Sequence, residues 1–421
     1  MVGIESCKRI LSTEDKVQTE QNKNYKSDIE YALKLNRWLL NPISIWPLSS
    51  HVSTLTKIQF KFIRTCCWVF LAFLIIPTRL HTIFAKTDRA VKLKMIGPLG
   101  FCVMVIVKYF VFVVRAKNIK ICVDHVVVDW RNVNTTEDRE IMIDSARIAR
   151  LFTAASALFM YGGGVFYTSV LPLTASKSLS NDNVTIRVLH PFYFFTYDPQ
   201  TTPMYELVFL VHTLSDVVMY STTSGVCSLA VVFAMHVDGQ CQVLMRLLND
   251  FVDGNREKSS TLHQRLANVV VRHLRILRLI STMENIFNEI FLVEVVGCTF
   301  ILCFLGYYCM TDLTESETFG LIAYFLLLIS LTFNVFAFCY IGELITSQCM
   351  RIGQAAYLTE WYRLGGKNAS NLIILIIISN RPVLLTAGSM MILSYNSFIQ
   401  VSMKNNVIIF WLFPDTFQSE I

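Results

Sequence analysis

Charged side chains are scarce in this chain: they make up 16% of its 421 residues, whereas roughly a quarter is typical of soluble domains. Glycine and proline are not abundant either, at 17 and 10 residues, which argues against fibrous and low-complexity sequences. By contrast, apolar residues account for 53% of the chain, and its mean hydropathy is +0.48. A soluble protein with this composition would expose large apolar patches. The composition therefore indicates a membrane protein with several spans.

Sequence patterns typical of catalytic and metal sites are also missing. The eight histidines form no HExxH motif, and the twelve cysteines form no CxxC pair. The cysteines are scattered through apolar segments, so we interpret them as small buried side chains. Basic residues are not concentrated in one domain, which argues against a nucleic-acid partner. We therefore expect no enzyme activity, no cofactor and no metal.

Seven apolar stretches are candidates for membrane helices, each of which needs roughly 20 residues to cross a bilayer. The seventh begins near Leu372 and is interrupted by Asn380-Arg381-Pro382, because proline removes a backbone donor and disfavours helix at the preceding residue. The sequence predicts an all-α membrane protein with seven transmembrane helices and a broken seventh helix. The first six predicted spans are Phe62–Thr78, Met95–Val114, Leu151–Leu171, Leu207–Met235, Phe291–Met310 and Phe319–Gly342.

The orientation of these spans can be predicted from the lysines and arginines of alternate loops. The N-terminal segment and the even-numbered loops carry 26 of them, the opposite side carries 8, and 3 lie in or beside spans. We therefore predict a cytoplasmic N-terminus and an extracellular C-terminus, the reverse of a G-protein-coupled receptor. Of three glycosylation sequons, only that of Asn183 falls in a predicted external loop, residues 172–204, so we expect Asn183 to be modified.

Some charged residues lie deep inside predicted spans, where burying a charge is costly. Asp216, Lys108 and Glu294 are thus functional candidates, and the alternative is that they form structural ion pairs or line a wet crevice. A run of three glycines, Gly162 to Gly164, favours close helix packing or a kink over a phosphate loop, because no strand precedes it.

The outer halves of spans two, three, four and six combine aromatic and aliphatic side chains with a few polar groups. Such a lining suits a small, mostly apolar, volatile molecule; ordinary packing between helices is the alternative for each residue. Tyr161 is the favoured ligand contact, because its ring can both pack and hydrogen-bond. The predicted pocket residues are Phe101, Met104, Leu158, Tyr161, Val165, Phe209, His212, Asp216, Tyr220 and Tyr324.

Several separated motifs resemble those of insect odorant receptors, in the same order along the chain. The C-terminal signature is the most specific: EWYRL at Glu360–Leu364, followed by SNRPVLLTAG at Ser379–Gly388. The other matching segments are Arg37–Pro47, His190–His212, Cys227–Gln240 and Asn288–Tyr308.

This resemblance implies a subunit of an odorant-gated, non-selective cation channel in the plasma membrane of olfactory neuron dendrites. It further implies a heterotetramer with a shared coreceptor, in which the seventh helices line the pore and the cytoplasmic ends form an anchor with Glu360, Trp361 and Tyr362. The expected organisation is a cytoplasmic segment with a pre-membrane helix (1–57), helices one to six (58–342), a cytoplasmic anchor region (343–383), and a pore-lining helix with a divergent tail (384–421). The alternatives are a G-protein-coupled receptor and, less similar, a membrane transporter.

The tail departs from the family pattern after Phe398. Lys404 and two asparagines would fall within the pore-lining helix, where a fixed cation would repel permeant cations. Because Val401-Ser402 can be encoded by an intron start, we interpret residues 401–421 as read-through past an unspliced junction. A genuine divergent tail is the alternative.

Overall fold

The computed structural model describes residues 22–48, 52–84, 89–133, 135–170, 204–252, 261–315, 318–364, 366–381 and 383–402. This part of the chain is almost entirely helical. Its α-helices are α1 (Tyr25–Leu40), α2 (Thr54–Phe84), α3 (Arg89–Val114), α4 (Ala116–Arg131), α5 (Thr136–Val165), α6 (Met204–Asn249), α7 (Leu262–Glu315), α8 (Thr318–Leu358) and α9 (Gly366–Ser379). A π-helical turn (Phe166–Val170) follows α5, and a 3-10 turn (Trp361–Arg363) follows α8.

Six of these helices, α2, α3, α5, α6, α7 and α8, are long and apolar enough to cross a membrane, judged within the described residues. They confirm the first six predicted spans, and the second has the predicted bounds, Met95–Val114. The other helices extend well beyond the spans: α7 has 54 residues, about 80 Å of helix at 1.5 Å per residue, whereas the hydrocarbon core is roughly 30 Å thick.

The extensions of α5 to α8 lie at one end of the bundle, which also carries α1, α4 and α9. We call this the inner end, since the charge count predicts it to be cytoplasmic, and the opposite end the outer end. In α7 the extension keeps an apolar stripe at helical spacing, with Leu266, Val269, Ile276 and Ile280 buried. Packing of this stripe against neighbouring helices allows α7 to continue outside the membrane without a break.

Helix α6 is the centre of the bundle and packs against α5, α8, α7, α2, α1 and α3. All residues from 218 to 239 are buried. Small side chains make this possible: a Cβ added at Gly225 would lie 2.4 Å from Cδ2 of Leu40, in α1. Small residues let helices approach closely where apolar burial alone cannot hold them together.

The segment after α9 differs from the prediction that a helix resumes at Leu384. Strands β1 (Thr386–Ala387) and β2 (Met391–Ile392) form an antiparallel hairpin, and residues 395–402 are helical. The hairpin turn has positive φ at Gly388 (61°) and Ser389 (57°). Glu284 and Asn288 of α7 accept hydrogen bonds from the backbone N–H groups of Thr386 and Gly388. These N–H donors therefore have partners although the segment is not helical. Residues 403–421, with most of the predicted tail, lie outside the described residues.

Candidate functional site

Tyrosine side chains from four helical segments converge in the outer half of the bundle. The Tyr161 and Ser221 hydroxyls share a hydrogen bond of 2.5 Å between α5 and α6, and the rings of Tyr161 and Tyr220 meet edge to face at 5.7 Å. Tyr324 of α8 lies with its ring centroid 5.7 Å from that of Tyr308 in α7. We call the following set the tyrosine cluster: Tyr161, Tyr167, Tyr220, Tyr308 and Tyr324.

Glycine at position 164 determines how closely α6 approaches α5 at this cluster. A Cβ there would lie 2.3 Å from Cζ of Tyr220, whereas a Cβ at Gly162 would meet nothing within 4 Å. A Cβ at Gly163 would lie 3.4 Å from the backbone of Leu326. The glycine run therefore serves close packing, one of the two roles that the sequence indicated, and it makes room for the ring of Tyr220.

Three of the predicted pocket residues do not face the interior. Leu158 is 71% exposed, Val165 48% and Phe209 38%, so in this structure they lie on the outside of the bundle. On α5 the buried positions are instead small or slender, such as Ser156 and Gly163. In a membrane the small residues face neighbouring helices and the large apolar ones face lipid. The exposure of these three side chains therefore does not support their placement in the pocket, which stays a prediction.

The remaining predicted pocket residues lie inside the bundle. Met104, His212, Asp216, Tyr220 and Tyr324 are buried, and Phe101 and Tyr161 are half-buried. Tyr167 and Tyr308 were not predicted. Tyr167 lies in the π-helical turn, which shifts the helical register, and Tyr308 lies on span five, which the resemblance did not include in the pocket. The adjacent pair of tyrosines in an apolar span, Tyr307 and Tyr308, was the one feature of the sequence that could have indicated Tyr308.

An ion pair joins Lys108 of α3 to Glu294 of α7 beneath the cluster, with both side chains 1% exposed. Cys298 donates a hydrogen bond from Sγ to Oε1 of Glu294, at 3.5 Å. One turn outward, Met104 packs against Gly297, where an added Cβ would lie 2.6 Å from Sδ. For Lys108 and Glu294 the structural alternative considered from the sequence is therefore the arrangement observed.

Helix α7 connects this region to the hairpin that precedes residues 395–402. The carbonyl oxygen of Asn288 accepts a hydrogen bond from the backbone N–H of Gly388 at 3.0 Å. The carboxylate of Glu284 accepts another from the N–H of Thr386, at 3.1 Å to Oε2. A single rigid helix thus contacts the tyrosine cluster through Tyr308 and the hairpin through these residues. A displacement of α7 would therefore change the contacts of both the tyrosine cluster and the hairpin.

A second polar network lies at the inner end, centred on Asp129 of α4. Its carboxylate accepts hydrogen bonds from His125 (Nδ1–Oδ2, 3.1 Å), His236 (Nε2–Oδ2, 2.9 Å) and Arg275 (Nε–Oδ1, 2.5 Å). Burial alone would raise the pKa of Asp129, but the two histidine hydrogen bonds and the Arg275 charge hold it well below its ordinary value. The network ties α4, α6 and α7 together.

The predicted anchor residues lie on the surface of the inner end. Trp361 and Tyr362, in the 3-10 turn, are 45% and 70% exposed, and Glu360 pairs with Arg363. Asn183, the predicted glycosylation site, lies outside the described residues. Among the residues that the structure does describe, no three His, Cys, Asp or Glu side chains are grouped as a metal site, and the eleven cysteines form no disulfide bond.

Comparison with solved structures identifies the fold. Two structures of the insect olfactory receptor OR5 from Machilis hrabei superpose on this chain. The complex with eugenol has a TM-score of 0.77 at 13% identity and covers 93% of this chain and 100% of that one. The second structure of the same receptor has a TM-score of 0.74 at 15% identity and covers 93% and 99%.

Sequence relatives are also insect receptors. Odorant receptor 82a of Drosophila melanogaster is 25% identical over 194 residues, which is 46% of this chain and 49% of the relative. Odorant receptor 10 of Aedes albopictus is 24% identical over 46% and 51%, and putative odorant receptor 92a of Drosophila melanogaster is 29% identical over 32% of both chains. The chain thus spans about half of these curated relatives, or less. The family model described as 7tm Odorant receptor matches residues 91–403, and this multi-pass membrane protein therefore belongs to the odorant receptor family.

Proposed function

We propose that this protein is the odorant-binding subunit of a ligand-gated, non-selective cation channel that works with a coreceptor. The tyrosine cluster is the observation that carries this proposal. It lies in the outer half of the bundle with three of its five side chains buried and two half-buried, it is mostly apolar, and it offers hydroxyl groups to a small molecule. Pockets for small ligands have this composition: apolar walls with a few polar groups that fix orientation.

Coupling to the pore would run through α7. A ligand among Tyr161, Tyr220 and Tyr308 shifts a channel toward opening only if it binds the open conformation more tightly than the closed one. Helix α7 contacts both the cluster and the hairpin, and the pore-lining segment would follow that hairpin. The free energy of ligand binding near Tyr308 is thereby available to bias the conformation of the hairpin.

Assembly and topology complete the proposal. The N-terminus would be cytoplasmic, Asn183 would carry glycan in an external loop, and the protein would reside in the plasma membrane of olfactory neuron dendrites. The exposed side chains of Trp361 and Tyr362 would contact the coreceptor in a heterotetramer. Large exposed aromatic side chains are enriched in protein interfaces, which supports this assignment.

Two measurements on one transfected cell line test the proposal. Currents are recorded during application of a panel of volatile molecules to cells that express the chain, the coreceptor, or both. We expect a cation current that requires both proteins and persists when G-protein signalling is blocked. A tag at the N-terminus should be stained only after the cells are permeabilised. Staining of intact cells, or a response that needs no coreceptor and disappears with the G-protein block, would instead favour a G-protein-coupled receptor.

A further inference from the structure

The carboxylate of Asp216 is buried next to the tyrosine cluster without a close cation. It lies on α6, one turn outward from Tyr220, and its side chain is 8% exposed. Within the described residues, the ion-pairing group within 4 Å of it is His212, whose Nδ1 is 3.8 Å from Oδ2. That distance exceeds the 2.7 to 3.2 Å of an N–H···O hydrogen bond. The carboxylate therefore has only a loose partner.

Two other buried carboxylates among the described residues are paired much more closely with cations. Glu294 meets the ammonium group of Lys108, and Asp28 accepts two hydrogen bonds from the guanidinium of Arg139, at 2.7 and 2.8 Å. An ionised carboxylate away from water is costly unless a positive charge and hydrogen-bond donors compensate it. Asp238, which is also buried, accepts hydrogen bonds from Ser145 and Gln242 at 3.1 and 2.8 Å. Among the described residues, Asp216 has no partner as close as these.

The tyrosine cluster begins one helical turn inward of the same position, at Tyr220. Asp216 interacts electrostatically with Cys102 of α3 and with the hydroxyl of Tyr220. Tyr167 lies close to Cys102 and to Tyr220, and it also interacts with Tyr308. Rings of this kind attract cations to their faces. A carboxylate at the edge of the tyrosine cluster is a chemical environment suited to an organic ammonium group.

We propose that this receptor is tuned to small volatile amines, which bind as ammonium ions with Asp216 as their charge partner and the tyrosine cluster around them. This inference rests on the proposed odorant-binding function. An alkylamine resembles the lysine side chain, whose pKa is about 10.4, so it is protonated at neutral pH. The ammonium group offers only donors and the carboxylate only acceptors. An ester of the same shape would place its own acceptor oxygens against the carboxylate.

A matched set of three odorants tests the tuning in cells that express the full chain with the coreceptor. The set is 2-phenylethylamine, 2-phenylethanol and 2-phenylethyl acetate, which share a ring and a two-carbon chain. For the wild-type receptor we expect the amine to reach half-maximal current at a concentration at least tenfold below those of the alcohol and the ester. Asp216→Asn keeps the shape but removes the charge, and it should raise the amine value at least tenfold. It should leave the ester value within threefold.

Glu206→Gln is the control, because it removes an exposed carboxylate nearer the outer end of the same helix. It should change none of the three responses. Currents evoked by the alcohol or ester without an amine preference would overturn the tuning and leave the odorant-gated channel intact. So would an Asp216→Asn variant that shifts all three odorants equally. If no volatile of a broad panel evokes current although both proteins reach the cell surface, the proposed function fails and the tuning fails with it.

Discussion

The two ends of α6 are packed in different ways. From residue 222 to 239, inward of the tyrosine cluster, every residue is buried, and cross-helix hydrogen bonds such as that between His236 and Asp129 join the helix to its neighbours. Nearer the outer end, Leu207, Leu210, Leu214 and Val217 are all exposed. The interior contacts there are the rings and hydrogen bonds of the tyrosine cluster and the loose pair of His212 with Asp216.

This difference indicates that the two ends of the bundle have different roles. Charge-assisted hydrogen bonds and dense packing give the inner end one defined arrangement. The outer end is held by weaker contacts, which a small molecule can replace at modest cost. A receptor needs both properties, because a ligand must be able to enter one region and transmit its effect through another that stays rigid.

The largest expected effect comes from the ion pair between the two regions. Lys108→Met leaves Glu294 buried without its cation, and removing one partner of a buried pair costs about 3–5 kcal/mol. The melting temperature of the detergent-solubilised protein should drop by many degrees. The double variant Lys108→Met, Glu294→Leu should recover most of the loss, since an apolar pair needs no charge compensation. Equal losses in the single and double variants would show that the pair is not what stabilises this contact.

Disrupting the inner end should cost slightly less. Asp129→Ala removes the acceptor shared by His125, His236 and Arg275, and we expect a loss of about 3 kcal/mol, because Arg275 keeps some contact with water. Surface expression and melting temperature report it. Asp144→Ala breaks the exposed pair with Arg147 and should change stability by less than about 0.5 kcal/mol. A comparable loss in both variants would contradict the role of the network.

A pair of glycine substitutions tests the packing of the outer end. Gly164→Ala places a methyl group against the ring of Tyr220 and should destabilise the protein by about 1–3 kcal/mol. Gly162→Ala meets open space on the same helix and should be neutral or stabilise by up to about 1 kcal/mol. Thermal unfolding of the two variants side by side gives the comparison. If Gly164→Ala is as stable as Gly162→Ala, Tyr220 can move aside and the contact does not define the cluster.

The smallest effect is expected at Tyr161. Tyr161→Phe removes the hydrogen bond to Ser221 and should cost about 1 kcal/mol of stability. Tyr161→Ala removes the ring as well and should raise the half-maximal odorant concentration roughly tenfold, equivalent to about 1.4 kcal/mol. Concentration–response curves at matched surface expression measure it. Unchanged sensitivity of the Ala variant would remove Tyr161 from the binding site.

Much of the architecture was predictable from the sequence. Apolar runs of lipid length located six helices, because length and hydropathy alone decide whether a segment can span a bilayer. The inner extensions of α7 and α8 were missed, because the hydropathy criterion that detects a membrane span does not detect an amphipathic helix outside the membrane. The hairpin at Thr386–Ile392 was missed because its backbone is held by Glu284 and Asn288, about 100 residues earlier in the chain.

The site was predictable only in part. A charge inside an apolar span identified Asp216, and His212 and Tyr220 were named as part of the lining of the same span. Periodicity could not determine which face of α5 points inward, because the inward residues there, such as Ser156 and Gly163, are small rather than apolar. The π-helical turn at Phe166–Val170 changed the register again, which is why Tyr167 could not be placed.

The most direct test of this account is a structure of the chain with its coreceptor, determined by electron cryomicroscopy with and without an odorant that evokes current. We expect ligand density among Tyr161, Tyr220 and Tyr308, with the network around Asp129 in the same arrangement in both states. Ligand density outside the tyrosine cluster, or a rearranged inner network with an unchanged outer end, would contradict it.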